Sequence, residues 1–513
     1  MKVKWFGTIL VLAMLITSLV PVAAAAPGDK GYLIGSAAPL TADQVQQLQA
    51  AGVNVKHVYQ NFGGAAGTIP STKLAAVRAL PFVTSVNEDT IKQLTSVSVA
   101  SQFQSASPLP GTPYWLDLID AEKNTTYNGS GVWVAVLDSG FYPNWRDYFD
   151  ESQILTQYAV AFNAANGNEN PNQWDVGSDP HMMAVAGTIV GYRFVDDTNE
   201  GGWGEGFATG AAGTYWVPGV ASGAQIIPVK VCEPIGCFGS AINAGVDYVT
   251  SLKKANPSQP IVINESLGGS SLDAVEKAAI DAAVKAGVVI VASAGNEGNA
   301  GMGFPGAYEP VISAGAGGWR DQWNEYPDKT WWLDDVPENG VDEVFVVDFS
   351  SRQRSGQYLD VVSTGRFMLL PYPCVALYKD GEVVSRTNNK TCASKATPDN
   401  VQSAPFQYLF ISGTSFSAPT ISGIVALMLD KKPSLSNADA TFGTLNNPAS
   451  WGAGSLEKAL EKSATNIPPD QVTVTHRTGV PDEECWEMGT SGCTLEATGY
   501  GWVFVDDALS AVR

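Results

Sequence analysis

Short apolar runs alternate with amphipathic stretches over most of the chain. Two stretches have apolar residues at helical spacing: 241–255, which stops at Asn256-Pro257, and 272–286, which stops at Gly287. The runs between and around them are apolar throughout, as in strands buried on both faces: 132–137, 225–231, 261–264 and 288–292. This alternation predicts an α/β fold with a doubly wound, mostly parallel sheet flanked by helices.

A smaller α+β unit is predicted ahead of this domain, over residues 31–89. Thr41 and Gln44 have the spacing of a capping box and predict a helix start, and Gly52 predicts its end. A second helix is predicted from Ser71, and strands are predicted at 31–34, 53–59 and 82–86. The polar residues 96–108 then predict a linker between the two units.

The first 26 residues have the composition of a secretory signal. Lys2 and Lys4 precede the apolar run 6–20, and the small residues 22–26 end in an Ala-x-Ala pattern. The apolar run is too short for a comfortable membrane span, and no later stretch is long enough. We therefore expect a soluble, secreted protein without a membrane anchor.

The charge and the cysteines narrow the class of protein. A net charge of −21 argues against nucleic acid or an anionic membrane as the partner. The six cysteines are paired locally in the sequence, which in an exported protein favours three disulfides over metal sites, since no pair has a neighbouring histidine or a C-x-x-C spacing. The predicted pairs are Cys232 with Cys237, Cys374 with Cys392, and Cys485 with Cys493.

Ser415 is the candidate nucleophile. It lies in Ile-Ser-Gly-Thr-Ser-Phe-Ser-Ala-Pro, just before an apolar helix predicted over 421–429, with Pro419 in its first turn. A serine hydroxyl at a helix start faces free backbone N–H groups, where an oxyanion would form. Taken alone, this segment is more often a simple helix cap.

Three further segments supply the groups that such a serine needs. His181 follows the turn Gly177-Ser178-Asp179-Pro180 and opens a run of small and apolar residues, whereas His57 and His476 lie in segments that do not suit a base. Asp138 ends a predicted buried strand, where the chemistry of open α/β sheets collects. Asn296 follows another buried strand and offers its amide as a donor to an oxyanion.

In the chain order Asp138, His181, Asn296, Ser415, these segments resemble the subtilisin-like serine proteases from about residue 114 to residue 512. The resemblance implies that Asp138 orients the imidazole, His181 acts as general base and then acid, Asn296 stabilises the oxyanion and Ser415 attacks. It implies hydrolysis of protein or peptide substrates through an acyl-enzyme intermediate, without a cofactor in the chemistry.

The resemblance also implies a domain organisation. Residues 1–26 are the expected signal, 27–95 resemble the family's ferredoxin-like inhibitory propeptide, 96–108 hold the maturation site, and 109–513 form the peptidase domain. Two insertions interrupt that domain, at 319–342 and 367–404. The propeptide is expected to inhibit the peptidase within the same chain until it is cut.

The same resemblance identifies residues that line the first-residue pocket, which is the pocket for the substrate residue just before the cut bond. All but one are small and none is acidic, so we expect a preference for a large apolar residue at that position. They are Ser266, Leu267, Gly268, Gly269, Ala292, Ser293, Ala294, Gly295 and Gly303.

The sequence departs from the family pattern beside the base, where Met182-Met183-Ala184 replaces Gly-Thr-His. This leaves a non-catalytic binding protein as one alternative. A serine-carboxyl peptidase is another, although its members lack the histidine base and the oxyanion asparagine.

Structural calcium is common in the family, but the acidic loop at 196–205 lacks EF-hand spacing, and a solvated loop is the favoured interpretation.

Overall fold

The computed structural model describes most of the chain, with gaps at both ends and at several places between them. The described residues are 30–95, 97–98, 112–165, 170–196, 213–319, 336, 340–373, 375–379, 382–385, 401–403, 408–438, 456–467 and 496–512. The predicted signal, the acidic loop after residue 196 and most of the first insertion lie outside them.

The N-terminal domain is a βαββαβ unit with its own core. Its four strands form an antiparallel sheet in the order β2-β3-β1-β4. Thr41 and Gln44 form the predicted capping box. The core centres on Ile34, Leu48 and Val77. The elements are β1 (Lys30–Ser36), α1 (Ala42–Ala50), β2 (Asn54–Val58), β3 (Gly64–Ile69), α2 (Leu74–Arg78) and β4 (Val83–Glu88).

The second domain is built on an eight-stranded sheet in the order β18-β17-β16-β14-β7-β11-β8, with β19 also paired to β17. Only β18 is antiparallel to its neighbour. The strands are β7 (Trp133–Asp138), β8 (Val160–Ala161), β11 (Gln225–Lys230), β14 (Ile261–Glu265), β16 (Val289–Ser293), β17 (Ile312–Trp319), β18 (Val344–Val346) and β19 (Val361–Thr364). The prediction of a mostly parallel α/β sheet is confirmed.

Helices cover both faces of this sheet because its strands are apolar on both sides. On β7, Val134 and Val136 belong to the core shared with α4 and α7, whereas Ala135 and Leu137 belong to the core shared with α5 and α6. The helices are α3 (Tyr114–Asp117), α4 (His181–Val190), α5 (Gly239–Ala255), α6 (Ala274–Lys285), α7 (Thr414–Lys431), α8 (Leu456–Ser463) and α9 (Val505–Ala511).

The remaining strands form small antiparallel sheets, and one of them joins the two domains. β5 lies between β13 and β15 in the order β12-β13-β5-β15, and β6 pairs with β24. The strands are β5 (Ile91–Leu94), β6 (Val97–Ser98), β9 (Gly191–Asp196), β10 (Gly213–Pro218), β12 (Cys232–Glu233), β13 (Gly236–Phe238), β15 (Leu267–Gly268), β20 (Met368–Pro371), β21 (Val375–Lys379), β22 (Glu382–Ser385), β23 (Val401–Ser403) and β24 (Tyr408–Ser412).

Two boundaries differ from the sequence prediction. The helix predicted over 421–429 begins at Thr414, so Pro419 is its sixth residue and not part of its first turn. The N-terminal domain also contains β3, which was not predicted because its sequence, Gly-Ala-Ala-Gly-Thr-Ile, has little strand character. The glycine at 67 fits the close approach of β2, since a Cβ there would lie 2.4 Å from the Asn54 carbonyl oxygen.

Candidate active site

Asp138 and His181 form a hydrogen-bonded pair at the carboxyl end of the central sheet. Asp138 is the last residue of β7 and His181 is the first residue of α4, and both side chains are fully buried. The distance between His181 Nδ1 and Asp138 Oδ2 is 2.8 Å. Ser139 N–H donates to the other carboxylate oxygen at 2.5 Å, so the carboxylate is fixed from two sides.

The surroundings of His181 favour its charged form. Burial alone would lower its pKa, but the charge and hydrogen bond of Asp138 and the charge of Asp179 outweigh burial, so the pKa of His181 is raised. Asp179 also accepts the His181 backbone N–H at 2.9 Å and the Tyr372 hydroxyl at 2.8 Å, which anchors the start of α4. Nε2 of His181 is buried and has no hydrogen-bond partner among the described residues.

Ser415 is the second residue of α7 and is fully buried. Pro419 has no N–H to offer the carbonyl four residues earlier, which is that of Ser415. Ser266 Oγ donates to this free carbonyl at 2.8 Å, and the start of the helix is thereby tied to the segment after β14.

The hydroxyl of Ser415 is not hydrogen-bonded to His181 in this structure. Its Oγ donates to the Ser266 carbonyl at 3.2 Å and lies 2.7 Å from Oγ1 of Thr95. The structure therefore brings Ser415, His181 and Asp138 to one end of the sheet but leaves the bond between nucleophile and base unmade. Catalytic hydrogen bonds are often long or misaligned before the reacting geometry forms.

Two donors converge on the backbone carbonyl oxygen of Thr95. Asn296 Nδ2 donates to it in a short hydrogen bond, and Ser415 N–H donates at 3.3 Å. Thr414 holds the Asn296 amide in this orientation, because its N–H and hydroxyl donate to Asn296 Oδ1 at 3.0 and 2.9 Å. An amide and a helix-start N–H on one oxygen form the arrangement that stabilises an oxyanion.

Thr95 reaches this position because β5 lies in the cleft as an extra antiparallel strand. Leu94 pairs with Leu267 and Gln93 with Gly268 on one side, and Lys92 pairs with Cys237 on the other. This backbone pairing is independent of the side chains of the inserted strand, as in peptide recognition by strand addition. β5 was not predicted from the sequence, since its partners lie more than 140 residues away.

Two of the residues predicted beside the first-residue pocket, Ser293 and Gly268, lie next to the Thr95 side chain. Thr95 Oγ1 donates to Ser293 Oγ at 2.7 Å, and its methyl group lies 3.6 Å from the position of a Cβ on Gly268. Gly303 lies opposite Gly268, and its N–H donates to the Ala294 carbonyl at 2.9 Å. The rest of the predicted set lies along β15 and the end of β16: Ser266, Leu267, Gly269, Ala292 and Gly295.

Two aspartates hold the N-terminal domain against the second domain. The Asp89 carboxylate accepts Ser240 N–H at 2.9 Å at the start of α5, and also the Ser240 hydroxyl. The Asp247 carboxylate accepts the N–H groups of Gln60 and Asn61, each at 2.8 Å. Burial raises the pKa of Asp89, and its hydrogen bonds to Ser240 oppose that rise.

The predicted Cys232–Cys237 disulfide is present and closes the β12–β13 hairpin. The other two predicted pairs lie outside the described residues. No helix among the described residues is long and apolar enough to cross a membrane.

Three buried carboxylates away from the cleft could hold a cation. Oxygen atoms of Asp360, Glu457 and Glu461 lie within 4.8 Å of one another. Asp360 Oδ1, Glu457 Oε1 and Glu461 Oε1 have no hydrogen-bond partner among the described residues. Burial raises the pKa of Asp360 to about 7 and that of Glu457 well above its usual value. A hard cation with oxygen ligands fits such a group.

Comparison with known proteins agrees with this geometry. A family model described as the subtilase family matches residues 129–480. The chain is 25% identical over 476 residues to subtilisin J from Geobacillus stearothermophilus, covering 88% of this chain and 97% of that protein. It is 26% identical over 340 residues to serine protease AprX from Bacillus subtilis (strain 168), covering 64% of this chain and 63% of that protein.

A solved structure shares the fold. Fervidolysin from Fervidobacterium pennivorans, a keratinolytic enzyme related to subtilisin, matches with a TM-score of 0.56 at 20% identity. The match covers 94% of this chain, and the chain spans 61% of the length of fervidolysin. Because the family model covers more than half of the chain and the fold agrees with it, the protein belongs to the subtilase family.

Proposed function

We propose that this protein is a secreted serine endopeptidase that hydrolyses peptide bonds through an acyl-enzyme intermediate. The observation that carries the proposal is the Thr95 carbonyl oxygen, which accepts hydrogen bonds from Asn296 Nδ2 and Ser415 N–H beside the Asp138–His181 pair. A peptide carbonyl is thus held by the two proposed oxyanion donors, and the ring of Phe416, which follows Ser415, lies 5.6 Å from the ring of His181.

Each side chain has one role in the proposed reaction. Ser415 Oγ adds to the substrate carbonyl carbon while its proton passes to His181 Nε2, and the negative oxygen is stabilised by Asn296 Nδ2 and Ser415 N–H. His181 then gives the proton to the leaving amine, and a water molecule repeats the sequence to release the acyl group. Asp138 holds the ring and stabilises its charged form. The first step requires Ser415 Oγ to exchange its contacts with Ser266 and Thr95 for one with His181.

We propose further that residues 27–95 are an inhibitory propeptide and that the enzyme cuts its own chain after Thr95. The support is the position of β5, which occupies the cleft in the pairing that a substrate would use. The bond between Thr95 and Ser96 lies at the border of the linker predicted to contain the maturation site. Secretion, expected from the first 26 residues, is part of the same proposal.

The preference at the residue before the cut also belongs to the proposal. Gly268, Ser293 and Gly303 are small and none is acidic, so we propose that a large apolar residue is accepted at this position and is preferred over lysine or arginine. In this precursor the position is occupied by threonine, whose hydroxyl bonds Ser293. A peptide library varied at that residue measures the preference, and cleavage mainly after basic residues would refute it.

We also propose that the protein binds a structural calcium ion. The acidic loop after residue 196 lies outside the described residues. The cluster of Asp360, Glu457 and Glu461 is the described group whose oxygen atoms fit such an ion.

Labelling with a fluorophosphonate tests the proposed activity. We expect the reagent to modify Ser415 in the protein freed of its N-terminal domain, and to leave Ser415→Ala unlabelled. The control is Ser152→Ala, which removes a hydroxyl from an exposed turn. Labelling that is absent in the unsubstituted protein would favour the alternative of a non-catalytic binding protein with this fold.

A further inference from the structure

Lys92 is a buried lysine in the strand that occupies the cleft. It lies three residues before Thr95 and is 2% exposed, whereas its neighbours Ile91 and Gln93 are exposed. Lysine is almost never buried without a partner. The side chain of Lys92 therefore enters a pocket of the second domain that provides one.

Three oxygen atoms of that pocket surround the Lys92 ammonium group. Nζ lies 3.0 Å from Oε1 of Glu276, and it donates to the carbonyl oxygens of Phe304 at 3.0 Å and Ser271 at 3.2 Å. Two carbonyl oxygens thus accept N–H groups of the lysine ammonium group, and a carboxylate oxygen lies within ion-pair distance of it. The pocket is thus shaped for a compact cation at the end of an unbranched side chain.

Two acidic side chains lie beside this cation. Glu276, in the first turn of α6, and Glu265, the last residue of β14, are both buried. Burial raises the pKa of Glu265 to about 8 and that of Glu276 to about 7, and the charge of Lys92 opposes both shifts. Gly269 forms one wall, since a Cβ there would lie 2.9 Å from Lys92 Cγ.

We propose that this pocket selects lysine as the fourth residue before the cut, in protein substrates as well as in the chain's own N-terminal segment. The inference rests on the proposed function and names the substrate class. Its reason is the register of β5: backbone pairing places Thr95 at the oxyanion donors and Lys92 at Glu276. Any substrate strand that binds in this register presents its own fourth side chain to the same oxygen atoms.

Other side chains suit the pocket less well. An apolar residue would offer no donor to the Glu276 carboxyl group or to the carbonyl oxygens of Phe304 and Ser271, and glutamate would add a further buried acid. Arginine carries a wider, planar group with five donors, which three converging acceptors do not match.

Matched peptides on the processed enzyme test the proposal. The parent peptide contains Lys-Gln-Leu-Thr-Ser, and its variants carry leucine, arginine or glutamate in place of lysine. We expect kcat/KM for the lysine peptide to exceed that for the leucine peptide by roughly 100-fold, with glutamate poorer still. In Glu276→Gln the ratio of lysine to leucine should fall toward one.

The matched control is Asp281→Asn, which removes a charge from the exposed side of the same helix and should keep the lysine preference. Should Glu276→Gln not fold, the peptide series on the unsubstituted enzyme decides alone. Equal hydrolysis of the lysine and leucine peptides, with Ser415 still labelled, would overturn the inference and leave the proposed function standing. Absence of both hydrolysis and labelling would overturn the proposed function and the inference with it.

Discussion

At the scale of single residues, the base keeps its geometry despite the unusual residues that follow it. Met182 and Met183 are fully buried in the main core, and Met182 N–H donates to Ser139 Oγ at 3.1 Å. The Asp138–His181 hydrogen bond is present beside them. The substitution of Gly-Thr-His by Met-Met-Ala thus changes the packing of α4 without removing the partner of the imidazole.

The raised pKa of His181 leads to a prediction for the pH dependence of activity. A base must be neutral to accept the serine proton, and a raised pKa keeps the imidazole charged to a higher pH. We therefore expect kcat/KM for a neutral peptide to rise with pH through a value above about 6.5, and to persist into the alkaline range.

The same profile separates the subtilase mechanism from the serine-carboxyl alternative. His181→Ala should lose activity at every pH. An optimum near pH 4 that survives in His181→Ala would show that a different base is at work.

At the scale of elements, the sequence predicted the parts whose pattern is local. Four strands of the central sheet, β7, β11, β14 and β16, and the helices α5 and α6 fall within two residues of their predicted bounds, because each is a continuous apolar or amphipathic run. The start of α7 was misplaced, since a proline suggests a first turn but is tolerated later when a side chain, here Ser266, satisfies the free carbonyl.

The catalytic side chains were predictable from motifs, but β5, the strand that lies in the cleft beside them, was not. Asp138, His181, Asn296 and Ser415 each sit at the end of a strand or the start of a helix, as their flanking residues indicate. β5 has only four residues and is defined by pairing with β13 and β15, far away in sequence. From the sequence alone, Lys92 is expected to be an exposed charge. Its burial follows from the pairing of β5 with β13 and β15.

Helix α8 carries a prediction about stability. Glu457 and Glu461 lie one turn apart and face Asp360, and three buried carboxylates without a cation repel one another when ionised. We expect millimolar Ca²⁺ at pH 8 to raise the Tm of the unsubstituted protein by several degrees, corresponding to roughly 1–3 kcal/mol. The double variant Glu457→Gln, Glu461→Gln should lose this response, as measured by differential scanning calorimetry.

A control keeps that experiment specific to the cluster. The double variant Glu122→Gln, Glu151→Gln removes the same number of carboxylates elsewhere and should respond to Ca²⁺ as the unsubstituted protein does. An equal rise in Tm for the cluster variant would place the calcium effect at another site, and no rise in any protein would argue against a structural ion.

At the scale of the whole molecule, the two domains are joined by contacts that hold β5 in the cleft. Leu33, Tyr59 and Phe62 of the N-terminal domain pack into the core formed by α5 and α6. Asp89 and Asp247 add hydrogen bonds at two points on α5. These contacts place β5 in the cleft, where the Thr95 carbonyl oxygen accepts hydrogen bonds from Asn296 and Ser415.

We propose that Ser415 cuts the bond after Thr95, and the masses of the products show whether it does. The purified precursor is incubated alone and its products are analysed by intact mass and N-terminal sequencing. We predict a fragment that begins at Ser96 from the unsubstituted protein, and an uncut chain from Ser415→Ala. The appearance of the same fragment from purified Ser415→Ala, or a first cut at a bond far from Thr95, would contradict self-cleavage at this bond.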